Sequence, residues 1–336
     1  MLRVAVDAMG GDHAPSEIVK GVISAVKRTD DLQISLVGSA EAIQKSIDME
    51  IDSSRIEIIN TEEVIGNNED PGLAIRSKKK SSMVTAMQLV RNGDADAVMS
   101  AGNTGALMAG GLLFLERLNG IKRPALMTVI PTFEGQGQGT VVLDIGANMD
   151  AKPEHLLHYA LMGRIYAREV LGKENPSVAL LNVGTEESKG NMQVKNAYRL
   201  IKANVADFIG NVEAKEIFHC AADVLVCDGF VGNVLLKTIE GFARDVFGHL
   251  RKEIKNDFKV RLASPLFRPI FKRISSSLDE SEHGGSLLLG LKGVCFKCHG
   301  SSREKAITQA LIKQVYPFVH NSANKKIEDA LSEILS

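Results

Sequence analysis

Five stretches of the chain combine glycine with acids, amides, hydroxyls or lysine. They are Asp7-Ala-Met-Gly10-Gly11-Asp12-His13, Ser100-Ala-Gly102-Asn103-Thr104-Gly105, Asp144-Ile-Gly146-Ala-Asn148, Asn182-Val-Gly184-Thr185-Glu186-Glu187-Ser188-Lys189-Gly190 and Asp228-Gly229-Phe230-Val231-Gly232-Asn233, with Lys237 one helical turn further on. Glycine lets a backbone come close to a ligand. Helix N-termini beside such loops present free N–H groups and a positive dipole end, which suit a phosphate. A single junction of this kind is an ordinary turn. Five of them, each with Asp, Asn or Ser beside the glycine, point to a cleft for an anionic ligand.

Apolar runs precede the clusters. Strands are expected at Arg3–Asp7, Gln33–Gly38, Arg55–Ile59, Asp96–Ser100, Ala125–Ile130, Thr140–Ile145, Val178–Val183 and Asp223–Cys227. Most are continuous Val/Ile/Leu/Ala runs, as in a sheet covered on both faces. Helix-period segments separate them: Ser16–Lys27, Ser82–Arg91, Asn103–Leu118, Pro153–Leu171 and Asn191–Ala203. This alternation predicts one α/β domain over 1–336, a doubly wound and mainly parallel sheet. Ligands of such sheets bind beyond the carboxyl ends of the strands, so all five clusters are expected on one edge.

Composition narrows the function. The chain has 336 residues, 44% apolar, with a formal charge of −1, so nothing calls for nucleic acid. It contains no tryptophan and only four cysteines, too few for a disulfide scaffold. No apolar run approaches a membrane span, and an acid at position 7 precedes any signal-peptide core, so a cytoplasmic protein is expected. No P-loop, strand-following G-x-G-x-x-G, H-E-x-x-H or G-x-S-x-G is present; Gly135-Gln-Gly137-Gln-Gly139 precedes a strand and reads as a connector. Cys295-Phe-Lys-Cys298-His299 matches a haem-attachment pattern, but without export or a second Cys/His pair it reads as a strand and turn; no metal or cofactor is expected. Arg76-Ser-Lys78-Lys79-Lys80 is a solvated charge run or a contact for an acidic partner.

One segment breaks the neutral balance. Eight basic and two acidic residues lie between Arg251 and Arg273, interleaved with Phe258, Val260, Leu262, Leu266, Phe267, Ile270 and Phe271. A projecting helical hairpin over 234–282 is expected. It either covers the core or a subunit interface, or rests on an anionic membrane surface or an acidic partner.

The clusters also resemble a known family. Asp7–Pro15 (DAMGGDHAP), Ser100–Ala106 (SAGNTGA), Leu143–Asn148 (LDIGAN), Leu181–Gly190 (LNVGTEESKG), Asp228–Gly241 (DGFVGNVLLKTIEG), Gly284–Gly290 (GGSLLLG) and His299–Ser302 (HGSS) are similar to the acyl-carrier-protein:phosphate acyltransferases of the PlsX type, in family order. The resemblance implies a fold akin to phosphate acetyltransferases and isopropylmalate-type dehydrogenases. It implies a homodimer, peripheral at the membrane, that makes acyl phosphate from acyl-[acyl carrier protein] and orthophosphate. The product would pass to a membrane glycerol-3-phosphate acyltransferase. By motif position, Lys189 and Lys237 would carry the charge that meets phosphate, unless they pair with Asp228 or Glu186. Asn103, Thr104 and Asn233 would bind phosphate or the oxyanion. Asp7, Asp12 and Asp228 would position donors or accept a proton. Gly10, Gly11, Ser100, Asn148 and Gly184 would line the substrate. His299 would act as an acid near the thiolate, or serve as a turn histidine held by backbone. Leu262, Leu266, Phe267, Ile270 and Phe271 would contact membrane or carrier.

Overall fold

The computed structural model describes residues 1–47, 54–133, 139–256, 260, 264–267, 269–270, 274 and 285–335. Leu262, Phe271, Gly284 and the 134–138 part of the glycine-glutamine run lie outside the described residues. Much of the expected 257–282 return limb does too.

Among the described residues eleven strands form one sheet. In chain order they are β1 (Leu2–Asp7), β2 (Leu32–Gly38), β3 (Ile56–Asn60), β4 (Ala97–Ser100), β5 (Ala125–Ile130), β6 (Thr140–Leu143), β7 (Val178–Asn182), β8 (Phe208–Glu213), β9 (Val224–Val226), β10 (Ser286–Leu289) and β11 (Val294–Lys297). Across the sheet the order is β3-β2-β1-β4-β11-β10-β5-β6-β9-β7-β8. The side chains alternate between two cores. Val4 and Val6 of β1 enter one, and Ala5 enters the other. The first core is covered by α1 (Ser16–Val26), α2 (Ala40–Lys45), α6 (Pro153–Glu169), α7 (Met192–Asn204) and the C-terminal helices α9 (Glu304–Gln309), α10 (Tyr316–His320) and α11 (Ala323–Leu335). The second is covered by α3 (Pro71–Ser77), α4 (Ser82–Asn92), α5 (Thr104–Gly110) and α8 (Gly229–Asn256). Both faces are therefore wound, and the strands read as continuous apolar runs for that reason. The expected helix Asn103–Leu118 is in fact α5 continued by a π turn, Gly111–Leu115.

Strand direction corrects the single-edge expectation. β3, β2, β1, β4 and β11 run parallel, as do β6, β9, β7 and β8. Between these sets the joins β11–β10, β10–β5 and β5–β6 are antiparallel. Three reversals leave the two parallel sets pointing opposite ways. The clusters after β1 and β4 therefore lie at one edge. Those after β6, β7 and β9 lie at the other.

Candidate active site

α8 spans the face between the two edges. Its first turn is fixed at the β6/β9 edge. Asp228 caps it, with Oδ1 accepting from Val231 N at 2.8 Å. Gly229 N donates to Asn148 O at 2.9 Å. Gly232 packs so tightly on the Asp144 carbonyl that any Cβ there would overlap it. One turn on, Lys237 Nζ lies 2.8 Å from His299 Nε2 and 2.6 Å from Glu240 Oε2. His299 belongs to the loop after β11, at the opposite edge.

A cleft of about 710 Å³ opens beneath α8, between it, α5 and the β5–β10 part of the sheet. Its walls are largely apolar: Met108, Leu112, Leu126, Ile130, Ile145, Leu236 and Ile239. Polar groups gather toward the β11 edge, namely Thr104, Lys237, Glu240, Ser286, Lys297 and His299; Asn233 and Arg123 also line it. Asn233 stands over Gly146, and its side chain makes no hydrogen bond among the described residues. His299 is held at both ring nitrogens, because Nδ1 is 2.7 Å from Ser301 Oγ and 3.2 Å from Ser301 N. Its plane is thereby fixed, and because Nδ1 accepts from Ser301 N a neutral ring carries its proton on Nε2, facing Lys237.

The other motif residues mostly build the scaffold. Asp144 is fully buried and accepts from Leu126 N, Gly146 N, Ala147 N and Asn148 N at 2.7 to 3.1 Å, and from Asn148 Nδ2. Burial raises its carboxyl above the usual range, against the pull of those donors. Asn148 also donates to Pro124 O. At the other edge Asp7 is buried and accepts from Ser100 Oγ at 2.6 Å and Met9 N at 3.2 Å, and burial again pushes it up. Gly10 is tight against this pair: a Cβ would lie 2.5 Å from Asp7 Oδ2 and 2.7 Å from Gly102 N. Gly11, in a left-handed conformation at φ 108°, lies against Gly300 O, and Asp12 N donates to the same carbonyl. Asn103 caps α5 through Ala106 N and points its amide at the carbonyls of Gly66, Asn67 and Glu69. Lys78, in the basic run, donates to Val64 O and Glu69, so it pins that same loop.

Of the expected residues, the cleft therefore brings together Thr104, Asn233, Lys237 and His299. Lys189 and Gly184 sit on the loop after β7, outside the cleft wall, and Lys189 faces Glu186 at 3.8 Å. Lys237 pairs with Glu240 rather than with either acid considered from the sequence. Sequence reasoning missed Lys297, Ser286 and Glu240. For Lys297 a signal existed: it follows Cys295 at strand spacing, so both share a sheet face. Leu266, Phe267 and Ile270 are exposed, as are Phe230, Val234, Phe242, Val246 and Leu250 along α8. Among the described residues no helix is long and apolar enough to cross a membrane. Cys295 and Cys298 are buried and form no disulfide, and burial pushes Cys295 up to about 12.

Comparisons with known proteins place the chain in a family. The chain is 46% identical over 332 residues to a phosphate acyltransferase of Brevibacillus brevis, covering 99% of this chain and 98% of the relative. It is 47% identical over 335 residues to a phosphate acyltransferase of Dictyoglomus thermophilum, covering 99% and 98%. A phosphotransacetylase from Streptococcus pyogenes shares the fold, with a TM-score of 0.57 at 16% identity over 98% of this chain and 94% of that one. The profile of the fatty acid synthesis protein family matches residues 2–326, and with these full-length relatives it establishes that the chain belongs to the PlsX-type phosphate acyltransferase family.

Proposed function

We propose that the chain makes acyl phosphate from orthophosphate and a long-chain acyl group carried as a thioester on acyl carrier protein. A membrane glycerol-3-phosphate acyltransferase would consume the product. The observation that carries this reading is the cleft itself, in which a long apolar wall ends at a group of cationic and hydroxyl side chains. The apolar wall suits a fatty chain, and the polar end suits phosphate beside a thioester carbonyl.

The chemistry needs no covalent enzyme intermediate. A phosphate oxygen attacks the carbonyl carbon, a C–O bond forms, the C–S bond breaks, and the departing thiolate takes a proton. Asn233 and Thr104 are assigned to the tetrahedral oxyanion, where donors fixed in advance matter most. Lys237 and His299 form the proton-handling pair at the leaving sulfur. Their contact at 2.8 Å, with Glu240 on the far side of Lys237, supports this assignment. No metal or cofactor enters the scheme.

The exposed apolar positions of α8 support pairing of two copies. Leu266, Phe267 and Ile270 beside the basic residues support a peripheral anionic-membrane contact. Phosphate-dependent release of thiol from a purified long-chain acyl carrier protein tests the reaction. Efficient turnover of acetyl-coenzyme A with none of the carrier substrate would replace it by a phosphate acetyltransferase reading. For the membrane contact, Leu266→Asp with Phe267→Asp should abolish sedimentation with anionic vesicles; unchanged sedimentation rejects it.

A further inference from the structure

Four adjacent strands place a polar residue at one level on one face of the sheet. The registers run Asp7 to Ser100, Ser100 to Lys297, and Lys297 to Ser286. Two residues further into the sheet, the same face carries Ala5, Val98, Cys295 and Leu288, all in the second apolar core. A polar row at the rim of an apolar face is a built feature, because each member must be solvated or bonded by something at that level. Its two halves differ. Asp7 and Ser100 bond each other at 2.6 Å and are closed over by Gly10 and Gly102. Lys297 and Ser286 line the cleft.

Lys297 is only 8% exposed and lines the cleft, and its ammonium donates to Cys298 O. An ammonium has three N–H donors, and this one is carried on a strand within the sheet rather than on a mobile loop. In so buried a position its attraction for an anion is stronger than at the surface. Directly opposed residues of an antiparallel pair have Cβ atoms about 5 Å apart, so the Ser286 hydroxyl and the Lys297 ammonium can meet a single tetrahedral ligand.

We infer that Lys297 and Ser286 form a subsite for a tetrahedral oxyanion, with Ser100 and Asp7 as positioning residues behind it. The ligand class is a phosphate. Resting on the function proposed above, the inference commits to the free orthophosphate that attacks, rather than to a phosphodiester on the carrier arm.

The test is steady-state kinetics of thiol release with inorganic phosphate and long-chain acyl carrier protein varied in turn. Lys297→Met should raise the phosphate KM about ten- to a hundredfold, as expected for loss of a charge-assisted bond, and leave the carrier KM within about twofold. Lys297→Arg should restore part of the loss. An unchanged phosphate KM in Lys297→Met overturns the subsite. So does a rise confined to the carrier KM, which would point to the carrier's own phosphate. If Lys297→Met does not fold, Ser286→Ala carries the same prediction at about threefold, the loss of one neutral hydrogen bond; an unchanged phosphate KM there overturns it equally. If the wild-type chain releases no thiol, the proposed function falls, and calorimetric titration of inorganic phosphate into wild type and Lys297→Met still decides the subsite, since equal affinities would reject it.

Discussion

The two edges joined by α8 use the same residue types for opposite ends. At the β6/β9 edge the protein fills its own amide donors: Asp144 collects four backbone N–H groups and Asp228 caps α8. A carboxylate already sits where an external anion would bind. At the β11 edge Lys237, Lys297 and His299 instead face the cleft. A glycine-rich junction after a strand therefore says only that backbone donors are gathered there. Whether they serve a ligand or the fold depends on whether the chain supplies its own acid.

The first way to break this contrast is to remove that acid. Asp144→Ala leaves several buried donors unsatisfied at once and should cost about 4 kcal/mol, since each such donor carries a penalty of about 1–3 kcal/mol before water relieves some of it. Urea unfolding reads the loss directly. A change below about 1 kcal/mol would mean that Asp144 is not the keystone of its edge. At the other edge the expectation is reversed. His299→Ala should lower kcat about a hundredfold, in the range of a lost general acid, and leave the unfolding midpoint alone. A stable variant with wild-type kcat would return His299 to the role of a turn residue.

A smaller effect isolates the seat of α8. Gly232→Ala drives a methyl group into the Asp144 carbonyl, so the helix must shift. Overpacking of this kind costs about 2 kcal/mol. Because Lys237 is one turn further along, the shift should also lengthen its contact with His299 and lower kcat in step. Thermal melts and kinetics on the same sample check both. Lost stability with full kcat would show that the β11 edge positions its groups without help from α8.

Much of this layout was legible in the residues, and the misses have physical causes. Continuous apolar runs marked β1, β4, β6 and β7, because strands covered on both faces have no polar side. Phe208–Glu213 went unrecognised because Gly210 and Asn211 interrupt it, and Ser286–Leu289 because so short a strand has no period to read. Strand direction is absent from a strand's own sequence. It follows from β10 and β5 pairing antiparallel with their neighbours, so the division into two edges could not be seen. Site roles were obscured differently. Asn103 and Asp228 have the residue types of ligand binders, and those same types cap helices. Lys297 lay inside a Cys-x-x-Cys-His decoy, where its strand phase with Cys295 was the useful clue.

The smallest predicted effect compares the two buried acids through pH. Burial raises both Asp7 and Asp144, but Asp7 holds the hydroxyls of Ser100 and Ser82 and two amides where Asp144 holds four backbone amides. For a carboxyl whose folded pKa exceeds its unfolded one, the folded chain binds the extra proton. The resulting stabilisation is complete below the unfolded value and is lost as pH rises through the folded one. Above that window wild type carries the whole cost of a buried charge at Asp7. Asp7→Asn is neutral at every pH and keeps one oxygen to accept from Ser100. Its stability relative to wild type should therefore rise with pH from near 3.8, the ordinary aspartate value, through the raised pKa. The contribution of Asp144 cancels in that difference. Urea midpoints for both proteins at pH 5 and pH 8 give the comparison. A difference that does not move between the two would mean that Asp7 titrates outside this window. Asp144→Asn should not show the same simple gain, because an amide cannot accept from all the donors that Asp144 serves.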